Sequence, residues 1–178
     1  MTRLAALLVL LAAPAFAQST PEMEGIYAAA GGGVGLLIAG DHSVAYDGEV
    51  RIGYRLNPGM AIYLSGAIDG GTLTGRDFRS MQAAASLQYH LYAKPGSPVA
   101  VYARAGIGVA FGGPMPDLAA DTTGVGLAAA GGLGLEIRLT KDFFLAPEFF
   151  YRNATLSANG SSGVSLQVIG LQILAVYY

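Results

Sequence analysis

Apolar and polar residues alternate with a period of two along this chain, and the pattern restarts between clusters of turn residues. In residues 79–93, Met81, Ala83, Ala85, Leu87, Tyr89 and Leu91 form one set, and Ser80, Gln82, Ala84, Ser86, Gln88, His90 and Tyr92 the other. Successive side chains of a strand point to opposite faces, so such a segment is a strand with one apolar and one polar face. The same reading predicts strands at 24–38, 43–56, 60–69, 79–93, 99–111, 124–139, 143–156 and 164–178. Short separators, "NPG" at 57–59, "PGSP" at 95–98 and "TKD" at 140–142, alternate with longer ones. The longer set is "GDHS" at 40–43, "GGTLTGRDF" at 70–78, "GGPMPDLAADTT" at 112–123 and "SANGSSG" at 157–163. Proline pre-sets φ and glycine tolerates positive φ, so these stretches end strands and reverse the chain. Alternating connection lengths suit an up-and-down barrel with both chain ends on the side of the tight turns.

Ahead of the strands, Arg3, the apolar run Leu4 to Leu11 and Ala15-Phe16-Ala17 have the order of a secretory signal peptide, and the run is too short to span a bilayer. The expected organisation is therefore 1–17 signal peptide and 18–178 one β-barrel domain, about 160 residues, an ordinary domain size. Cysteine is absent, so an exported chain of this kind cannot rely on disulfides. Acids exceed bases, 12 to 10, which argues against nucleic acid as a partner.

Alternation leaves open which face is turned to what. Val50, Ile52, Tyr54 and Leu56 oppose Asp47, Glu49, Arg51 and Arg55; Leu127, Leu133, Leu135 and Ile137 oppose Gly132, Gly134, Glu136 and Arg138. Val99, Val101, Ile107, Val109 and Phe111 oppose Tyr102 and Arg104, and Phe143, Leu145, Phe149 and Tyr151 oppose Glu148 and Arg152, with Pro147 breaking the apolar set. A soluble barrel points the apolar face inward; a membrane barrel inverts it. Three features select inversion. The polar sets are rich in Gly, Ala and Ser, as in "AAAGGGVGL" at 28–36, which are weak water-facing strand formers but leave room in a narrow lumen. Lys94 and Lys141, the only lysines, sit in or beside short turns. Tyr54, Tyr89, Tyr92, Phe143, Phe144, Tyr177 and Tyr178 gather at strand ends on the short-turn side, as in an interfacial belt. With a composition 53% hydrophobic, the apolar faces are expected to meet lipid.

The last predicted strand, "VSLQVIGLQILAVYY", runs to Tyr178, and Val164, Leu166, Val168, Leu174, Val176 and Tyr178 share one face, interrupted by Gly170 and Gln172. In lipid this strand must pair with the first, because an open edge would leave backbone groups unsatisfied. Leader, eight alternating strands and a terminal aromatic together resemble the small outer-membrane β-barrel superfamily of Gram-negative bacteria, which includes the transmembrane domain of OmpA-type proteins and the opacity-like surface antigens. The resemblance covers residues 22–178. It implies an all-β, eight-stranded antiparallel up-and-down transmembrane barrel in the outer membrane with both termini in the periplasm. It further implies an assembly signal at Leu174, Val176 and Tyr178 read by the barrel-assembly machinery. Outer-membrane lipid and lipopolysaccharide are the implied surroundings, for a monomer. The commoner terminal residue is phenylalanine, and Gln172 departs from the apolar register.

By strand phase the lumen is expected to hold Asp47, Glu49, Arg51, Arg55, Asp69, Arg104, Glu136, Arg138, Glu148 and Arg152. Isolated charges in a narrow barrel carry a severe desolvation penalty, so pairing is expected, and the arginine fork can bridge two carboxylates. An ion-paired interior predicts a structural or surface-exposed protein; a small diffusion porin is the alternative, and a lipid-modifying hydrolase a third. Barrel deacylases carry a His-x-Ser run, whereas His90 is followed by Leu91 and Tyr92, and His42-Ser43 lacks the spacing. No enzyme activity, cofactor or metal is expected: no ligand cluster is legible, and "GGGVGL" at 31–36 is neither GxGxxG nor followed by a helix.

Overall fold

The computed structural model describes residues 25–39, 41–73, 75–93, 97–113, 124–157 and 164–178. Eight strands follow one another: β1 (Gly25–Ala39), β2 (Asp41–Asn57), β3 (Met60–Leu73), β4 (Arg76–Ala93), β5 (Val99–Gly113), β6 (Gly124–Arg138), β7 (Phe143–Ser157) and β8 (Val164–Tyr177). Each pairs antiparallel with the next, and β8 pairs antiparallel with β1 from Ile38↔Gln167 to Ala28↔Tyr177, so the barrel is closed. Closure removes both sheet edges, which is the only way a sheet satisfies its backbone in lipid. The signal peptide expected at 1–17 lies outside the described residues.

The inversion predicted from the sequence is what the structure has. Val50, Ile52, Leu64, Met81, Ile107, Leu127, Leu133 and Phe149 are exposed on the outer wall, while Glu49, Arg51, Arg104, Glu148 and Arg152 are buried inside. A water-soluble barrel with this outer wall would expose an apolar surface far beyond the few hundred Å² tolerated by monomeric soluble proteins.

Three expectations are corrected. The connections at 40–43 and 70–78 are largely strand: β1 and β2 are separated by residue 40 alone, and β3 and β4 by residues 74–75, with Gly75 at φ 76°. Gly70 and Gly71 form ladder pairs with Arg79 and Phe78 rather than a turn. Gly70 is there because the Tyr46 ring lies across it, so close that a Cβ would strike the ring's Cζ and hydroxyl. Length therefore does not alternate strictly around the barrel; the longest gaps between strands are 114–123 and 158–163, both at the end opposite the termini.

The second correction concerns β8. Leu166, Val168, Leu174 and Val176 are turned inward, and the outward set is Ile169, Leu171, Ile173 and Tyr177. Both faces of this strand are apolar, so alternation gives no phase; Gln172 decides it by joining the interior polar network. Third, Phe144 and Tyr178 of the expected aromatic belt are inside the barrel, whereas Tyr54, Phe143 and Tyr177 remain outside, with Phe143 and Tyr177 edge to face at 5.8 Å. Pro147 acts as expected of a strand proline: the β6–β7 ladder skips from Gly134↔Glu148 to Ile137↔Leu145 without losing register.

Candidate functional site

The interior is the place where this chain concentrates its chemistry, and strand phase puts it there. Glu49 and Arg51 alternate inward on β2, Arg104 on β5, Glu148 and Arg152 on β7, all near mid-strand. Arg51 donates from Nε to Glu49 Oε1 at 3.0 Å and from Nη2 to Glu148 Oε1 at 2.9 Å. Arg104 spans the same two carboxylates, Nε to Glu148 Oε1 at 2.8 Å and Nη2 to Glu49 Oε2 at 3.0 Å. Arg152 reaches Asp69 Oδ1 at 2.6 Å, Asp47 Oδ2 at 3.1 Å and Glu49 Oε2 at 2.7 Å. Gln172 from β8 donates to both Glu49 (2.9 Å) and Glu148 (2.7 Å), and Tyr102 donates to Glu148 at 2.7 Å. Four carboxylates and three guanidiniums from four strands, joined by Gln172 from β8, thus form one cross-lumen network. Charge-assisted bonds of this kind offset the desolvation of buried ions only when nearly every lone pair is used, as Glu148 uses its two oxygens here.

A second, smaller centre lies toward the termini. Glu136 accepts from Gln88 Nε2 at 2.7 Å, faces His90 Nε2 at 2.8 Å and accepts the Tyr178 hydroxyl. Arg55 sits over the Tyr178 ring at 4.3 Å and donates to the carbonyl oxygens of Asn57 and Pro58 at 3.3 and 2.5 Å. Of the ten predicted lumen residues, then, seven meet in the central network; Glu136 and Arg55 belong to the terminal centre. Arg138 is half-buried, 5.5 Å over the Phe144 ring, and forms no ion pair among the described residues. Leu174 and Val176 line the interior beside this centre rather than presenting an outward register.

Sequence reasoning left the polar partners Tyr27, Gln82, Gln88, His90 and Tyr102 out of the expected lumen set, although it places the last four on polar strand faces. It also missed two apolar plugs. At the end away from the termini, Leu37, Phe78, Phe150, Leu156, Leu166 and Val168 pack together inside the barrel. At the terminal end Tyr27, Tyr63, Tyr102, Phe144, Leu174 and Val176 do the same, with Tyr178 against them. Cation–π contacts join plugs to network: Arg152 stacks over Phe150 at 4.3 Å and Arg51 over Tyr63 at 5.4 Å.

The hydrolase arrangement is not assembled. His90 is committed to Glu136, and the Ser86 hydroxyl bonds neither His90 nor a carboxylate. Among the described residues no group of three or more His, Asp or Glu is disposed to hold a metal ion. The glycines of "GGGVGL" serve packing: a Cβ on Gly33 would collide with the Leu171 carbonyl of β8 and come within 2.8 Å of Asp47 Oδ1.

A family model described as "Outer membrane protein beta-barrel domain" matches residues 4–173. Among solved structures, the fold is similar to that of Neisserial surface protein A (NspA), with 15% identity over 86% of this chain and 98% of that one and a TM-score of 0.68. It is similar to the outer membrane enzyme PagL at 15% identity, covering 82% of this chain and 97% of that one, TM-score 0.59. The outer membrane protein OprG from Pseudomonas aeruginosa follows at 15% identity, 85% and 94% coverage and TM-score 0.50. At these identities the likeness is one of fold. No curated protein matches the chain.

Proposed function

The chain belongs to the outer membrane protein beta-barrel domain family, and from that premise we propose that it is a closed, structural barrel of the outer membrane with its termini in the periplasm. The observation that carries this reading is the layering of the interior: an ion-pair network that crosses the lumen, held between two plugs of packed side chains. An eight-stranded barrel is only wide enough for its own side chains. An ion crossing this one would have to break the bridges on Glu49 and Glu148, and then pass the aliphatic and phenyl plug at one end and the tyrosine-rich packing around Glu136 at the other. Catalysis is not part of the reading, since His90 and Ser86 are not brought together. The orientation is supported by the gaps 114–123 and 158–163 lying opposite the termini, because external loops of such barrels are the longer ones.

Liposome swelling tests the closed state. Vesicles carrying refolded protein should swell in arabinose no faster than empty ones, and sustained swelling would replace the reading with a diffusion pore. For orientation, protease added to intact cells should cut within 112–123 or 157–163 and spare 95–98; cleavage at 95–98 would reverse it.

A further inference from the structure

At the terminal end, the mouth of the lumen holds two guanidiniums that no carboxylate pairs with among the described residues. Arg55, near the end of β2, uses Nε and Nη2 on the carbonyl oxygens of Asn57 and Pro58, and its Nη1 makes no hydrogen bond among the described residues. Arg138, the last residue of β6, donates its backbone N–H to the Pro98 carbonyl at 2.7 Å, while its side-chain Nε is buried without a partner among the described residues. Glu136 serves neither, because Gln88, His90 and Tyr178 hold its oxygens. Aromatic rings tie the two arginines together instead. Arg55 lies 4.3 Å over Tyr178, Arg138 lies 5.5 Å over Phe144, and the two rings meet edge to face at 5.3 Å. A ring face fixes where a guanidinium stands but carries no net charge to balance it. Both arginines line a small cavity of about 20 Å³, together with Glu136, Phe144, Ser97 and Pro98. Roughly 10–15 Å³ admits one water-sized group, so one oxygen of a ligand enters and the rest stays outside. The Ser97 hydroxyl already donates to the Val99 carbonyl at 2.9 Å, and proline has no N–H, which leaves the guanidiniums as the donors. Arg55 and Glu136 are buried and Arg138 shares the strand phase of Glu136, so the site belongs to the lumen and not to the lipid-facing wall. Two cations against one anion in the lining leave one positive charge, which matches a singly charged carboxylate rather than a doubly charged phosphate.

We propose that this mouth is a binding site for one carboxylate, received between Arg55 and Arg138 from the periplasmic side. The periplasmic source rests on the orientation proposed above; the site itself does not. Arginine side-chain NMR of the refolded full chain in micelles, titrated with acetyl-alanyl-alanine or with its C-terminal amide, tests it. The Arg138 Nε resonance should move with the acid, which should bind about tenfold more tightly than the amide, the worth of one charge-assisted hydrogen bond. Arg138→Gln should remove that preference while the heat-modifiable folded band is unchanged, since Arg138 forms no ion pair among the described residues. Lys141→Gln, which removes an exposed cation from the neighbouring turn, should bind the acid as the parent does. Acetate distinguishes the sources: the dipeptide held more tightly than acetate assigns the site to a peptide, and equal affinity assigns it to free carboxylates. Equal binding of acid and amide, an Arg138→Gln chain that binds the acid as the parent does, loss of binding in Lys141→Gln, or inorganic phosphate held more tightly than the dipeptide would each overturn the site. A separate readout checks the side of the membrane: Lys141→Cys on intact cells should not react with a membrane-impermeant maleimide. Reaction there, with carboxylate binding intact in vitro, would overturn the periplasmic source while leaving the site standing.

Discussion

Glu148 receives Arg51, Arg104, Tyr102 and Gln172 on its two oxygens, so its loss strands several buried donors at once. Glu148→Ala is expected to destabilise the folded barrel by about 3–5 kcal/mol, the usual cost of removing one partner from a buried ion pair. Urea unfolding followed by gel mobility would read this as a lowered midpoint. Arg76→Ala, at an exposed rim position, should shift the same midpoint by no more than about 0.5 kcal/mol. A Glu148 variant as stable as the parent would mean that the network contributes little. The carboxylates and arginines were legible in the sequence because a charge fixes the phase of the strand that carries it. Leu37, Phe78 and Leu166 were not, since an apolar side chain is at home on either wall. Their neighbours decide: Phe78 and Leu156 crowd the place where a Cβ on Gly112 would stand.

β8 shows the same limit for a whole strand. Its two faces are both apolar, and only Gln172, first taken as an interruption, marks the inner one. Tyr178 thereby acquires a second role beside the assembly signal implied by family resemblance, because its hydroxyl bonds Glu136 and its ring packs on Tyr27 and Phe144. Tyr178→Phe keeps the aromatic and loses the bond, so it should insert normally yet be less stable by about 1.5–3 kcal/mol. Deleting Tyr178 should lower both folded yield and stability. Equal unfolding midpoints for Tyr178→Phe and the parent would remove the structural role and leave the signal. On the facing strand, Gly33→Val should block β1–β8 closure, because the β8 backbone occupies the space its side chain needs. The loss of the heat-modifiable band would report it, and a normal band would contradict the close approach.

At the scale of the whole molecule the barrel is built inside out: lipid-facing Leu, Ile, Val and Phe outside, and inside a polar core capped by apolar layers. Fold class, strand count and the inverted faces followed from period-two alternation together with the scarcity of lysine and the glycine-rich polar phases. The layering did not, because it depends on which inward positions fall at the same height across strands, and register is set by three-dimensional stagger rather than by sequence spacing. The sealed interior is the central claim. Planar-bilayer recording of the purified, refolded chain tests it most directly. The account predicts no steady conductance from the parent protein. A stable, ion-selective channel whose selectivity moves when Arg51 or Arg104 is replaced would contradict it.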